Sequence, residues 1–277
     1  MEPAIIFLGT GGDTHVVAKQ IRASGGIVIR ADDLQFHIDP GPGSLVQCRR
    51  FNVNPRETCV ILVSHGHLLH ANDLNAAIHA MTYNGLDTKG VVLAPRSVIS
   101  QSGELGPWLS AYHRKLLEKL IEINTTKRIG IESTDILPLF TKHADPDGVG
   151  FKIMTTRCTV TYSGDTAYSK ELIDAYEGSD ILILNTVSPK HEEPDADQLS
   201  VEDAGKILES VKPRLCILTH FGKKMLDCDP LQEARDLQIK TGVQVIAATD
   251  GLTINPYSYA AESKQKSLKA YQKNKNV

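Results

Sequence analysis

Short apolar runs recur along the chain, most ending abruptly in polar or glycine-rich segments. The runs at 4–8, 26–31, 34–38, 59–63, 91–94, 128–131, 136–140, 150–155, 158–163, 181–184, 215–218 and 243–248 read as strands. Between them apolar residues fall at helical spacing. Leu74, Ala77, Ile78 and Met81 mark one helix, and 44–51 another. Segment 201–211 reads as a helix with Ser200 as N-cap and Asp203 at N3, and 230–241 as a helix with proline at its start. Leu109, Tyr112, Leu116, Leu117, Leu120 and Ile121 predict one long amphipathic helix over 108–123. Strands alternating with helices point to the α/β class. Each half of the chain opens with paired strands and then alternates strand with helix. No linker separates the halves, so residues 1–261 are expected to form one domain. The segment 262–277 carries five lysines and one glutamate. It reads as a disordered tail, with a nucleic-acid-binding arm as the alternative. The turn Gly9-Thr10-Gly11-Gly12 lacks phosphate-loop spacing and reads as a tight turn with glycines at positive φ.

A length of 277 residues suffices for a substantial core, and a net charge of −3 supplies no global basic field for nucleic acid. Five scattered cysteines without a C-x-x-C pair fit a reducing, cytoplasmic setting, with Cys59, Cys158 and Cys216 as small buried hydrophobes. No signal peptide is evident, and no apolar stretch approaches the roughly 20 residues of a membrane span.

The chemistry gathers where strands end. Val60-Ile61-Leu62-Val63-Ser64 is followed at once by His65, His67 and His70, spaced H-x-H-x-x-H. Imidazole is the commonest metal ligand, and three in one tight loop make a metal-site pattern. Other strand-like runs lead to His143, Asp165 and His220. Strand ends in a layered α/β fold lie along one edge, so these residues predict one site built from separate loops. Five of the ten histidines fall there. His15, His37, His79, His113 and His191 have no comparable setting, although His191 lies in a polar loop that could border the site. Asp39 ends the strand 34–38 before a Pro/Gly loop, which suits a turn cap or a carboxylate orienting the metal loop.

In this order the motifs resemble the metallo-β-lactamase superfamily over most of the chain. Asp39, His65-x-His67-x-Leu69-His70, His143, Asp165 and His220 match its successive motifs. Leu8-Gly9-Thr10-Gly11-Gly12 and Leu218-Thr219-His220-Phe221-Gly222 look most like its ribonuclease Z and phosphodiesterase branch. The resemblance implies a four-layer αββα sandwich with the metals at one edge of the two sheets. It implies one or two zinc ions, with manganese or iron as alternatives. His65, His67 and His143 would hold the first, His70 and His220 the second, and Asp165 would bridge. A metal-bound hydroxide would be the nucleophile. Asp165 and His70 would then take part in catalysis, with His191 as a candidate proton donor. Two positions depart from the pattern. Leu69 stands where the family has a ligating aspartate, and Gln198 where the branch tends to have a histidine. Both would border the ligands. A long-form ribonuclease arm is also absent from the sequence.

Three functions compete. The first is a metal-dependent hydrolase of an ester-type bond, the phosphodiester slightly favoured, with Lys223 and Lys224 meeting anionic groups or simply solvated. The second is a lactonase or other carboxylic-ester hydrolase. The third is a metal-binding module without hydrolytic activity, motivated by Leu69 and Gln198. The expected partner is a small ester or phosphodiester, with nucleic acid as an alternative, no membrane, and a homodimer as a conceivable assembly.

Overall fold

The computed structural model describes residues 1–102, 104, 106–191 and 197–260. The first sheet is built from β1 (Ala4–Phe7), β2 (Ile27–Ala31), β3 (Leu34–Ile38), β4 (Thr58–Leu62), β5 (Val91–Ala94) and β6 (Lys119–Glu122). The second takes β7 (Ile129–Ile131), β8 (Thr134–Phe140), β9 (Val149–Met154), β10 (Thr159–Tyr162), β11 (Ile181–Ser188), β12 (Leu199–Ser200), β13 (Leu215–Thr219) and β14 (Gln244–Ala247). A last strand, β15 (Thr253–Ile254), returns to the first sheet beside β1.

The strand orders are β15-β1-β2-β3-β4-β5-β6 and β14-β13-β11-β10-β9-β8-β7, with β12 paired to β11. Each sheet starts as an antiparallel meander, β1 to β3 and β7 to β10, and continues as parallel strands. Parallel neighbours need a crossover, and helices supply most of them. The helices are α1 (Thr14–Ala18), α2 (Ser44–Arg50), α3 (Leu68–Ala71), α4 (Leu74–Thr82), α5 (Arg96–Ile99), α6 (Ala111–Arg114), α7 (Glu171–Tyr176), α8 (Val201–Val211), α9 (Lys223–Asp227) and α10 (Pro230–Thr241).

Alternation along the strands explains the layering. Ile181 and Ile183 of β11 meet Val60 and Leu62 of β4 in the core between the sheets. Leu182 and Leu184 point the other way, onto Ala204, Ile207 and Leu208 of α8 and Leu237 of α10. Ile61 turns outward onto Leu74, Ile78 and Met81 of α4. Central strands covered on both faces must be apolar throughout, which is why they read as unbroken runs. The result is an αββα sandwich, as the resemblance implies. Truncating one buried inter-sheet side chain such as Phe151 to alanine would cost about 3–5 kcal/mol. Helix α8 carries the full capping box, with Ser200 Oγ accepting from the Asp203 N–H and the Asp203 carboxylate accepting from the Ser200 N–H.

The structure corrects three expectations. The long helix over 108–123 is instead two pieces, the single turn α6 and the strand β6, which pairs in parallel with β5. The apolar spacing that suggested one helix belongs to two elements. Leu109 and Leu117 pack under α4, while Ile123 enters the inter-sheet core. Gly9, Gly11 and Gly12 do not take positive φ. They are glycines because other backbone lies against them, a Cβ on Gly9 falling 2.4 Å from the Ala23 carbonyl carbon and one on Gly12 falling 2.1 Å from the His220 oxygen. Cys59 is half-buried rather than buried, although Cys158 and Cys216 are inside. The segment 262–277 lies outside the described residues. Among the described residues no helix is long and apolar enough to cross a membrane.

Candidate metal centre

Each strand end delivers its side chain to one place. His65 and His67 follow β4, and His70 stands on the single turn α3. His143 follows β8, Asp165 follows β10 and His220 follows β13. The first sheet therefore contributes three groups and the second sheet three. Ligand atoms of His65, His67 and His143 lie within 4.8 Å of one another, and so do those of His65, His70 and Asp165. His220 joins the second group, its Nε2 3.5 Å from Asp165 Oδ1 and 3.1 Å from His70 Nε2.

The surrounding hydrogen bonds fix which ring nitrogen faces the centre. Asp39 Oδ1 accepts the Ser64 N–H at 2.6 Å. Its Oδ2 accepts from Ser64 Oγ at 2.7 Å, from His70 Nδ1 at 2.8 Å and from the Tyr162 hydroxyl at 2.8 Å. Ser64 Oγ gives its hydrogen to Asp39, so its 2.9 Å contact with His65 Nδ1 must be accepted from the ring. His143 Nδ1 donates to the Asp197 carbonyl at 3.2 Å and lies 3.1 Å from Asp197 Oδ2. His65, His70 and His143 thus each turn Nε2 inward. Asp165 is held by Asn185, whose Nδ2 donates to Oδ1 at 2.6 Å and also reaches the Tyr162 oxygen at 3.0 Å.

Other groups set the loops. Asp145, two residues beyond His143, accepts from the Gly66 N–H at 2.7 Å and Ser97 Oγ at 2.6 Å. It ties the His143 loop to the His65–His67 turn. The Trp108 indole donates to the Gly66 carbonyl at 2.6 Å. On the far side, Asp250 accepts from Thr10 and Ala23, pinning the glycine turn against the sheet. The backbone at His220 is left-handed, φ +63°, and only the bare Gly12 lets it lie there.

The electrostatics favour a cation. Burial opposes ionisation of Asp165, but His220 and His70 beside it outweigh that and hold its carboxyl well below the usual range. Burial drives His65 well below its ordinary value, reinforced by His70. Burial also takes His220 down to about 4 against the pull of Asp165. Burial alone would depress His70, yet Asp165 and Asp39 raise it to about 10. His65 Nε2 is buried with no hydrogen-bond partner. His67 Nδ1 and His143 Nε2 stand 3.0 Å apart, as close as the Nε2 atoms of His70 and His220. Facing ring lone pairs and an orphaned buried nitrogen are costly unless a proton or a cation lies between them. Five imidazoles and one carboxylate are a donor set suited to first-row divalent ions.

His67, His70, Asp165 and His220 of the cluster line a cleft of about 540 Å³, together with Leu69 and Gln198. A second, smaller cavity of about 30 Å³ lies among Asp39, Leu69, Tyr162 and Asn185.

These facts accord with comparison to known proteins. Residues 35–221 match the model of the beta-lactamase superfamily domain. The chain belongs to that superfamily. The matched span runs from β3 to Phe221 and encloses Asp39 and all six clustered groups. The protein MJ1374 of Methanocaldococcus jannaschii, described as uncharacterized, is 34% identical over 256 residues, covering 92% of this chain and 95% of its own. The mitochondrial ribonuclease Z of Drosophila melanogaster is 27% identical over 270 residues, 85% of this chain. This chain spans 33% of that relative's length. The metallo-beta-lactamase fold protein YhfI of Bacillus subtilis superimposes with a TM-score of 0.74 at 17% identity, covering 92% of this chain and 99% of its own.

The remaining sequence candidates fall elsewhere. His191 is not in the cluster. Its Nδ1 lies 3.5 Å from Asp203 Oδ2, in a separate recess with Lys142, Tyr168 and Lys206. Lys223 and Lys224 do not line the cleft. Lys223 Nζ reaches Asp227 at 2.7 Å, and its backbone N–H donates to Asp13. The sequence does not single out Tyr162, Asn185 or Asp145, because each is an ordinary polar residue in or beside a strand. For Tyr162 and Asp145, a position two or three residues from a candidate ligand is the only hint.

Proposed function

We propose that this superfamily member is a metal-dependent hydrolase of an ester-type bond, most readily a phosphodiester. The observation that carries this reading is the six-group cluster, four of whose members, His67, His70, Asp165 and His220, line an open cleft. His65, His67 and His143 would hold one divalent cation, zinc being the best match to imidazole. His70, His220 and Asp165 would hold a second. When bound, such cations supply Lewis-acid charge and make water a stronger acid near neutral pH.

The chain's own residues do the rest. Asp39 and Ser64 hold His70 and His65 with their Nε2 atoms inward. Asn185 keeps the Asp165 carboxylate in place. Gln198, on the cleft wall, can donate an amide hydrogen to an oxygen that gains charge as the ester is attacked. Leu69 adds no ligand, so the second position has one oxygen donor fewer than the family pattern and should bind its cation more weakly. The ribonuclease Z relative supports the phosphodiester. A carboxylic ester or lactone is the second reading, favoured by the largely apolar lining of the cleft.

Hydrolysis of a model phosphodiester and of an acyl lactone, each with added zinc or manganese, tests both readings, with His67→Ala as control. Turnover that survives the substitution would overturn the mechanism. Turnover of the lactone alone would select the second reading.

A further inference from the structure

The wall of the cleft is unlike the surface a nucleic acid needs. Beyond the clustered ligands it is lined by Val17 and Ala18 of α1, Pro42, Leu68 and Leu69 of α3, and Val187 of β11. Among the described residues no lysine or arginine lines it. One fixed charge on the wall is negative. Asp13 accepts the N–H of Val16 and of Lys223, each at 2.6 Å, so its carboxylate is anchored in place. An extended polyanion needs cations along its track, and an anchored carboxylate repels it. Leu68 is 51% exposed and follows His67 directly in the loop that carries His70. A large apolar side chain held open beside a reactive centre has unspent burial to offer a ligand. A cleft of about 540 Å³ is also the size of a small-molecule site.

Resting on the proposed reading of this cleft as the substrate site, we infer that its wall seats one uncharged, apolar substituent of a small ester. Leu68, Ala18 and Val187 then decide specificity, and the scissile group is the only anionic centre the site accepts. A polynucleotide is not its substrate.

Binding is the test, because it does not depend on turnover. Ethyl, butyl, hexyl and octyl phosphonate are titrated calorimetrically into the full chain with excess zinc, with a short single-stranded oligonucleotide as competitor. Affinity should rise about fourfold per buried methylene until the cleft is filled. The oligonucleotide should not displace the octyl compound. Leu68→Ser should flatten the gradient. Ala18→Lys should weaken the octyl compound and admit the oligonucleotide. Both substitutions fall at exposed positions, and unfolding temperatures confirm that the variants fold.

Equal binding along the series, no binding at all, or displacement by the oligonucleotide would overturn the inference. A clear gradient with no hydrolysis of any ester would count against the hydrolase reading alone. Hydrolysis without a gradient would remove only the apolar seat.

Discussion

Tyr162 and Asp39 meet across the two sheets, the phenol of β10 donating to the carboxylate that follows β3 at 2.8 Å. Burial, then Asp39 and Asp165, raise the phenol well above its ordinary range, so it stays a donor at all working pH values. Tyr162→Phe keeps the ring and removes the bond. Stability should fall by about 1–2 kcal/mol, read from urea unfolding, because Asn185 also loses an acceptor.

Asp39→Ala should weaken cation binding by about 10–100-fold, since the carboxylate orients both His70 and, through Ser64, His65. Metal content after dialysis against a graded chelator measures this. Circular dichroism should show the fold intact. Unchanged retention would mean that Asp39 acts only as a turn cap.

Leu69→Asp would put a carboxylate beside His70 and His220, where the leucine now lines the cleft. The variant should retain more zinc per chain than the parent under the same dialysis. Equal stoichiometry in both would show that position 69 does not limit the second cation.

Gly12→Ala drives a methyl group to 2.1 Å from the His220 carbonyl oxygen. That contact requires backbone to move, so stability should drop by about 1–3 kcal/mol or more. The last histidine should shift with it, and zinc retention should fall further than the loss of stability explains.

Asp32 lies at the β2–β3 turn, away from the candidate metal centre, and tests the electrostatics independently. Burial opposes its ionisation, but the Thr156 side chain and N–H, the Tyr257 hydroxyl and Thr134 outweigh this and lower its pKa. A carboxyl with a depressed folded value stabilises above its unfolded value, and the gain is lost as pH falls through the folded one. Asp32→Asn should therefore be less stable than the parent near neutral pH. The gap should narrow below pH 3.8, the ordinary value of the carboxyl, when urea midpoints are compared.

Much of the candidate site is legible in the sequence. Histidines and a carboxylate placed just after apolar runs are visible because both signals are local, a strand pattern and then a chemistry-bearing residue. The αββα layering is legible for a similar reason, since strands covered on both faces must be apolar throughout. Contacts between distant segments leave no such trace. Asn185 sits within an apolar strand and acquires its role only by facing Asp165 and Tyr162. Asp250 holds Thr10 and Ala23 from the opposite end of the sequence. Glycines at 9 and 12 are recognisable as special, but the cause is the nearness of Ala23 and His220 rather than a turn conformation. The stretch 108–123 misleads because a helical spacing arises by chance where one short helix passes into an edge strand.

Three candidate ligands issue from the loop and turn after β4, and three from the ends of β8, β10 and β13. Beside the apolar core between them, the two sheets are joined covalently by one passage between β6 and β7 and by the return of β15. A captured ion would thus serve as a clasp between the halves. A protein cleaved in the passage around residues 123–128 should remain one particle while the ion is held, and come apart far more readily once it is stripped away.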